Sequence, residues 1–413
     1  MYGGTVSSLR SVPVILFGIA LCAGALPAAA AGSGDVGAFL DRHWQRPFAP
    51  QGLPPTGFSA LEASLAPQDC GTCHPDQYRA WRASRHAHAM GPGVLGQLLD
   101  PKVLEQTRAC LDCHAPLAEQ AERLNERIAR GGMPGASAGL DVQGVVCAAC
   151  HVRKYVRYGP PRRDGSVPAP KDQLPHGGWV ATRAFEESRF CASCHQFGSD
   201  GYVLAGKPLE NTYAEWRESR YTEQGVTCQS CHMPERQHLW RGIHDPAMTK
   251  QAISVRREQI TSRAGELDSG LDVTNVGAGH DFPTYVTPRV VVSIYQETAD
   301  GRVLPGTRKA LVIGREVTVD LSREIADTRL APGKTIRLAY WAPRHPRAAW
   351  LAYQVRVEPD YFYSRFYRSL LGAEAGPGAR LIRQALAKSL GSPYTIYLER
   401  DRLEAQRSRR PPS

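Results

Sequence analysis

The chain has 413 residues, 42% of them hydrophobic and 22% charged, with 39 glycines, 31 prolines and a formal charge of +10. That composition is that of a folded globular chain, long enough for more than one domain, and it excludes a disordered or fibrous protein except at the ends.

The first element reads as an export signal over 1–31. Arg10 precedes an apolar run from Val12 to Leu26, and "PAAAAG" then sets small residues where a signal peptidase cuts, near Ala30 or Ala31. The run is too short to span a bilayer. Cys22 follows Leu21, where a lipid-anchoring signal would carry a small residue. The expectation is therefore a soluble mature protein in the periplasm, with an extracellular location as the alternative. Residues 32–66 read as a Pro-rich lead-in.

Between 67 and 250 all ten remaining cysteines fall into five copies of one pattern. These are "CGTCH" (Cys70, Cys73, His74), "CLDCH" (Cys110, Cys113, His114), "CAACH" (Cys147, Cys150, His151), "CASCH" (Cys191, Cys194, His195) and "CQSCH" (Cys228, Cys231, His232). C-x-x-C-H is the attachment pattern of c-type haem. Two cysteines about one helical turn apart bond the two vinyl groups, and the next residue brings an imidazole to the iron. Zinc sites would pair C-x-x-C units and give histidine no fixed offset. A redox C-x-x-C would come once, beside a βαβ pattern. Five covalent haems follow. With so few residues between motifs, the haems themselves must form much of the core.

Each iron has a sixth position, and eight histidines are spare: His43, His86, His88, His176, His238, His244, His280 and His345. Pro75 and Gly91-Pro92 bracket a helix predicted over Asp76–Ala89. The twelve residues from His74 to His86 span roughly 18 Å of helix, against about 4 Å between the axial nitrogens of one iron. If His86 is a ligand it therefore completes a neighbouring haem. His238 and His244 follow the fifth motif, His280 sits in the loop "NVGAGHDFPT" whose glycines permit close approach to a flat group, and His176 lies in "LPHGGW". His43 is a weaker candidate, and His345, in "PRHPR", reads as solvent-facing.

"QYRAWRASRH" (77–86) and "TYAEWRESRY" (212–221) form a gapless repeat that ends in histidine once and in tyrosine once. Tyr221 either packs on a porphyrin face or lines a haem pocket with an open sixth position. "LAEQAERLNERIARGG" (117–132) reads as an exposed charged helix stopped by Gly131 and Gly132, and "VRKYVRYGPPRRDG" (152–165) as a solvated or partner-docking loop rather than a nucleic-acid site.

After about residue 250 the period changes to two, in "LDVTNV", "RVVVSIYQE", "REVTVDL", "KTIRLAYW" and "AWLAYQVRV". This predicts an antiparallel β-sandwich over 251–360. A helix, "ARLIRQALAKSLG", and a disordered basic tail, "RSRRPPS", are predicted within 361–413. Counting propionates and iron charges brings the mature protein to about +4 oxidised and −1 reduced, so the basic excess largely balances the haems and does not call for an acidic partner.

"CGTCHPDQYRAWRASRHAHAM", "TYAEWRESRYTEQGVTCQSCHMP" and "NVGAGHDFPT" together resemble the multihaem c-type cytochromes of the cytochrome c-554/c-552 family, over most of residues 67–290. The resemblance implies distal-ligand roles for His86, for His280 and for His238 or His244. The chain departs from the tetrahaem pattern in having a fifth motif and a C-terminal β domain, and it lacks the C-x-x-C-K haem of pentahaem nitrite reductases. The expected fold is multidomain α+β: a mostly helical and loop multihaem cytochrome c domain over 67–250 followed by the β-sandwich. The expected function is non-catalytic electron transfer in a respiratory chain between donor and acceptor redox proteins, one of them a membrane protein to which it docks. The alternatives are a reductase or oxidase of a small nitrogen or sulfur compound at one open haem, and a subunit of an extracellular cytochrome filament.

Overall fold

The computed structural model describes residues 33–99, 107–131, 139–199, 201–373 and 376–404. The export signal over 1–31, Gly132 and the tail over 407–413 lie outside the described residues.

The N-terminal half is built from short helices and loops. The segment read as a Pro-rich lead-in begins with a helix, Ser33–His43. Val36, Leu40 and His43 recur at helical spacing, and Val36 and Leu40 pack against Ala184 and Phe190. The prolines start only at Pro47. Five further helices carry the C-x-x-C-H motifs: Pro67–Cys73, Thr107–His114, Cys147–His151, Arg189–His195 and Cys228–His232. Hydrophobic clusters between them are small.

The helix predicted over Asp76–Ala89 stops at Ala83. Ser84 takes extended backbone there, and both its amide and its hydroxyl donate to Trp81 O, at 2.8 and 2.7 Å. His86 and His88 therefore sit in turns. The charged helix runs Ala118–Ala129 and ends at Gly131, with φ +67°. It is not exposed all round: Leu124 is buried, and the Gln120 amide donates to the carbonyls of Leu140, Gln143 and Gly144 at 3.1, 2.8 and 3.0 Å. The basic stretch after Cys150 is a hairpin, Val152–Arg153 against Val156–Gly159, turning at Lys154 and Tyr155 with positive φ. Its arginines turn inward, Arg153 over the Phe48 ring at 4.0 Å and Arg157 over Phe58 at 5.2 Å.

The C-terminal half holds two four-stranded antiparallel sheets around one core. Its strands are β1 (Ile253–Arg257), β2 (Glu266–Asn275), β3 (Arg289–Glu297), β4 (Lys309–Ile313), β5 (Thr335–Pro343), β6 (Trp350–Glu358) and β7 (Tyr394–Arg402). One sheet runs β4-β3-β6-β7; the other runs β5-β2-β1, with Thr261–Arg263 added on β2. Both contribute to the core, through Leu271 and Val273 of β2, Val290, Val292 and Ile294 of β3, Tyr340 of β5, and Leu351, Tyr353 and Val355 of β6. "REVTVDL" forms only a short strand, Arg315–Val317, paired with Glu324–Asp327.

The segment 361–413 is more than a helix and a tail. Helices Tyr361–Gly372 and Ala379–Gly391 pack together, and the second lies on the helix Pro92–Leu98 of the N-terminal half, where a Cβ on Gly378 would sit 1.9 Å from Gly96 O. The chain then returns as β7 and pairs with β6. No described helix is long and apolar enough to cross a membrane.

Candidate haem-binding site

In each motif a helical turn sets the two cysteines, three apart, on one side, with the histidine at or just past the helix end. All five motifs open into a single cavity of about 3120 Å³. Ordinary ligand pockets are about 300–1,000 Å³, so this one has room for several large groups.

Three spare histidines stand opposite three motif histidines across that cavity. His86 faces His195 with ring centres 6.3 Å apart, His238 faces His151 at 6.1 Å, and His280 faces His232 at 6.3 Å. With metal–nitrogen bonds of about 2 Å and ring centres about 1.1 Å further out, two imidazoles on one metal lie about 6.3 Å centre to centre. The residues fit an iron between each pair, and the cavity fits the porphyrins.

Hydrogen bonds orient these rings. The Nδ1 atoms of His114, His151 and His232 donate to the carbonyls of Ala89, Tyr158 and Arg241 at 2.7, 2.8 and 2.6 Å. Those of His238 and His280 donate to Arg236 O at 3.1 Å and Asp281 O at 2.8 Å. Each bond leaves Nε2 as the free lone pair, the tautomer a metal ligand needs. Burial, ahead of neighbouring charge, pushes His86 down to about 3 and His232 and His238 to about 4, so the imidazoles are neutral at pH 7. His195 differs: Tyr285 Oη lies 2.9 Å from its Nδ1, and Glu210 Oε2 lies 3.8 Å away.

The remaining candidates divide. His176 lines the cavity that the first motif also opens into, with its Nδ1 donating to Gly178 O at 3.0 Å. His244 lines the cavity with its Nε2 hydrogen-bonded to Asp360 at 2.9 Å. Among the described residues no imidazole stands at this spacing from His114. His43 is a buried core histidine donating to Cys150 O at 2.8 Å and stacked on Phe39.

The cysteines order the motifs in space. The helices of the first and third motifs meet, and Cys228 N of the fifth donates at 3.0 Å to Ser188 Oγ, just before the helix of the fourth. Arg46 bridges the second and fourth motifs, at 3.2 Å from Cys113 Sγ and 2.9 Å from Cys194 Sγ. With haem attached at these motifs the thiols would become thioether sulfurs, and these contacts would mark which attachment edges are neighbours.

The glycines of the "NVGAGH" loop approach protein. A Cβ on Gly277 would fall 2.2 Å from Gln251 O, and one on Gly279 3.3 Å from both Trp216 and Tyr221. Buried Asn275 frames the loop, donating to His280 O at 2.9 Å and accepting from Ala278 N at 3.0 Å. Tyr221 donates to Val276 O at 2.9 Å and so braces this loop from outside. Glu210, Tyr285 and Arg46 carried no motif that marks them in the sequence.

Residues 69–152, which contain the first three motifs and His86, match the family described as cytochrome c554 and c-prime. Over that segment the chain is similar to the cytochrome c554 family. Cytochrome c-552 of Aliarcobacter butzleri (strain RM4018) is 26% identical over 134 residues, covering 30% of this chain; the match spans about a quarter of the length of that relative, 26%. A penta-heme cytochrome c552 from Thermochromatium tepidum has a similar fold, with a TM-score of 0.56 over 84% of this chain and 100% of that one, at 20% identity. That likeness supports haem c as the cofactor.

Proposed function

We propose that this chain is a periplasmic electron carrier that binds five haems c and passes electrons between a donor and an acceptor redox protein. The observation that carries this reading is the single cavity joining all five motifs, with three motif histidines each facing a spare histidine at 6.1–6.3 Å. Haem supplies a one-electron iron couple. The chain's own residues do the rest. His86, His238 and His280 would each share an iron with His195, His151 and His232, and His176 would serve His74. Irons held on both sides would leave no room for small-molecule chemistry there, and the carbonyls that fix His151, His176, His232, His238 and His280 would keep rearrangement small when charge arrives.

One observation favours a second reading at a single site. Among the described residues no histidine ring stands opposite His114, while Arg85, His244, Asp360 and Tyr363 line the same cavity, with His244 hydrogen-bonded to Asp360 at 2.9 Å. That set would bind and protonate a small oxygen- or nitrogen-containing ligand at an open haem.

One experiment tests both readings. Mass measurement of the mature protein should show five haem additions, and its oxidised electron paramagnetic resonance spectrum should be dominated by low-spin signals. Several high-spin haems would sink the carrier reading. Stoichiometric binding of cyanide or nitric oxide to one haem supports the second reading, and failure of any haem to bind either ligand removes it.

A further inference from the structure

We propose that Glu210 sets the haem held by Cys191, Cys194 and His195 at a lower potential than its neighbours, and that this haem is the branch point of the electron path. The inference rests on the proposed haem occupancy.

The branch comes from adjacency. Arg46 bridges Cys194 and Cys113 of the second motif, and Cys228 N of the fifth donates at 3.0 Å to Ser188 Oγ, just before the helix of the fourth. Cys150 of the third motif packs against the cluster that holds Phe190 of that same helix. His86, from the segment after the first motif, stands opposite His195. The fourth motif therefore adjoins a residue from each of the other four units.

The potential comes from the partner of the axial imidazole. Where His114, His151 and His232 give Nδ1 to neutral backbone carbonyls, His195 meets the Tyr285 hydroxyl and, 3.8 Å away, a carboxylate oxygen. Glu210 Oε2 is fully buried and has no hydrogen-bond partner. Out of water its charge is poorly screened. Oxidation adds one positive charge at the iron, so a carboxylate beside the axial ligand favours the ferric state and lowers the potential.

The test is a spectroelectrochemical titration of the holoprotein at pH 7 and its Glu210→Gln and Glu210→Asp variants, with haem count by mass on each. In Glu210→Gln one midpoint should rise by a tenfold change in its one-electron equilibrium or more, about 59 mV, while the others stay within that interval of their wild-type values. Glu210→Asp should move the same midpoint less, and it keeps the proposal testable if the amide variant does not accumulate. All midpoints unmoved with five haems attached, or a downward shift, overturns the proposal. Wild-type protein lacking attached haem would instead overturn the functional reading beneath it.

Discussion

A histidine's role here is decided by what its second nitrogen meets. His43 shares the buried setting of the cavity histidines, yet it lies among Phe39, Trp44, Tyr158, Phe185 and Phe190 and donates to Cys150 O. Burial first, then the charge of Arg153, lowers its pKa from 6.5 to about 3. With the cavity imidazoles bound to iron as proposed they would no longer titrate, and His43 would stand out as a buried neutral base. The sign follows: above pH 6.5 neither folded nor unfolded His43 holds a proton, and as pH falls toward 3 only the unfolded chain takes one up. Stability should therefore fall with pH through this window, by at most about 1.4 kcal/mol per pH unit from this residue. His43→Phe loses a hydrogen bond worth about 1 kcal/mol and should melt lower at pH 7, but its melting temperature should fall less between pH 6.5 and 4, so the two curves converge. Parallel curves would remove His43 as the titrating group.

At the scale of elements, the repeat noticed in the sequence is one piece of machinery used twice. Trp81 Nε1 donates to Val145 O at 2.7 Å, and Trp216 Nε1 donates to Val226 O at 2.9 Å. Ser84 and Ser219 each return a hydroxyl to the preceding tryptophan carbonyl at 2.7 Å. Val145 N bonds His86 O and Val226 N bonds Tyr221 O, both at 2.9 Å. Each copy thus ends its helix early and clamps the backbone two residues before a motif cysteine, Cys147 or Cys228. Trp81→Phe and Trp216→Phe each leave a carbonyl unpaired, at about 1–3 kcal/mol. Both should lower the melting temperature of the holoprotein by similar amounts with haem content unchanged, and a copy whose variant melts like wild type is not a clamp. The similarity of the two segments was legible in sequence; their purpose was not, because the partners Val145 and Val226 lie outside the repeat. The helix over 76–89 was overread for a related reason: residues 84–89 have acceptable helical propensity, and the tertiary bonds of Trp81 and His86 override it. Strands with period two were legible, β3 to its end residues, whereas β7 was hidden because "YTIYLERDR" is polar on both sides of an edge position.

For the whole molecule, the two halves are held together by different matter. The strands β1–β7 close on their own hydrophobic core, whereas the helical half surrounds a cavity of about 3120 Å³. Sequence spacing already implied that haem must be core here, since the intervals between motifs are too short to bury one of their own. It could not reveal that helices Tyr361–Gly372 and Ala379–Gly391, encoded after the strands, would lie back on Pro92–Leu98 and close the cavity. These two helices should therefore share the fate of the helical half. In protein made without haem attachment, with every motif cysteine changed to serine, amides of β2, β3, β5 and β6 should remain protected from hydrogen exchange, while residues 67–252 and 361–391 exchange as an unfolded chain. Protection of the motif helices in that apoprotein would mean that packing alone supports the cavity, and that haem is a passenger in the fold rather than part of its core.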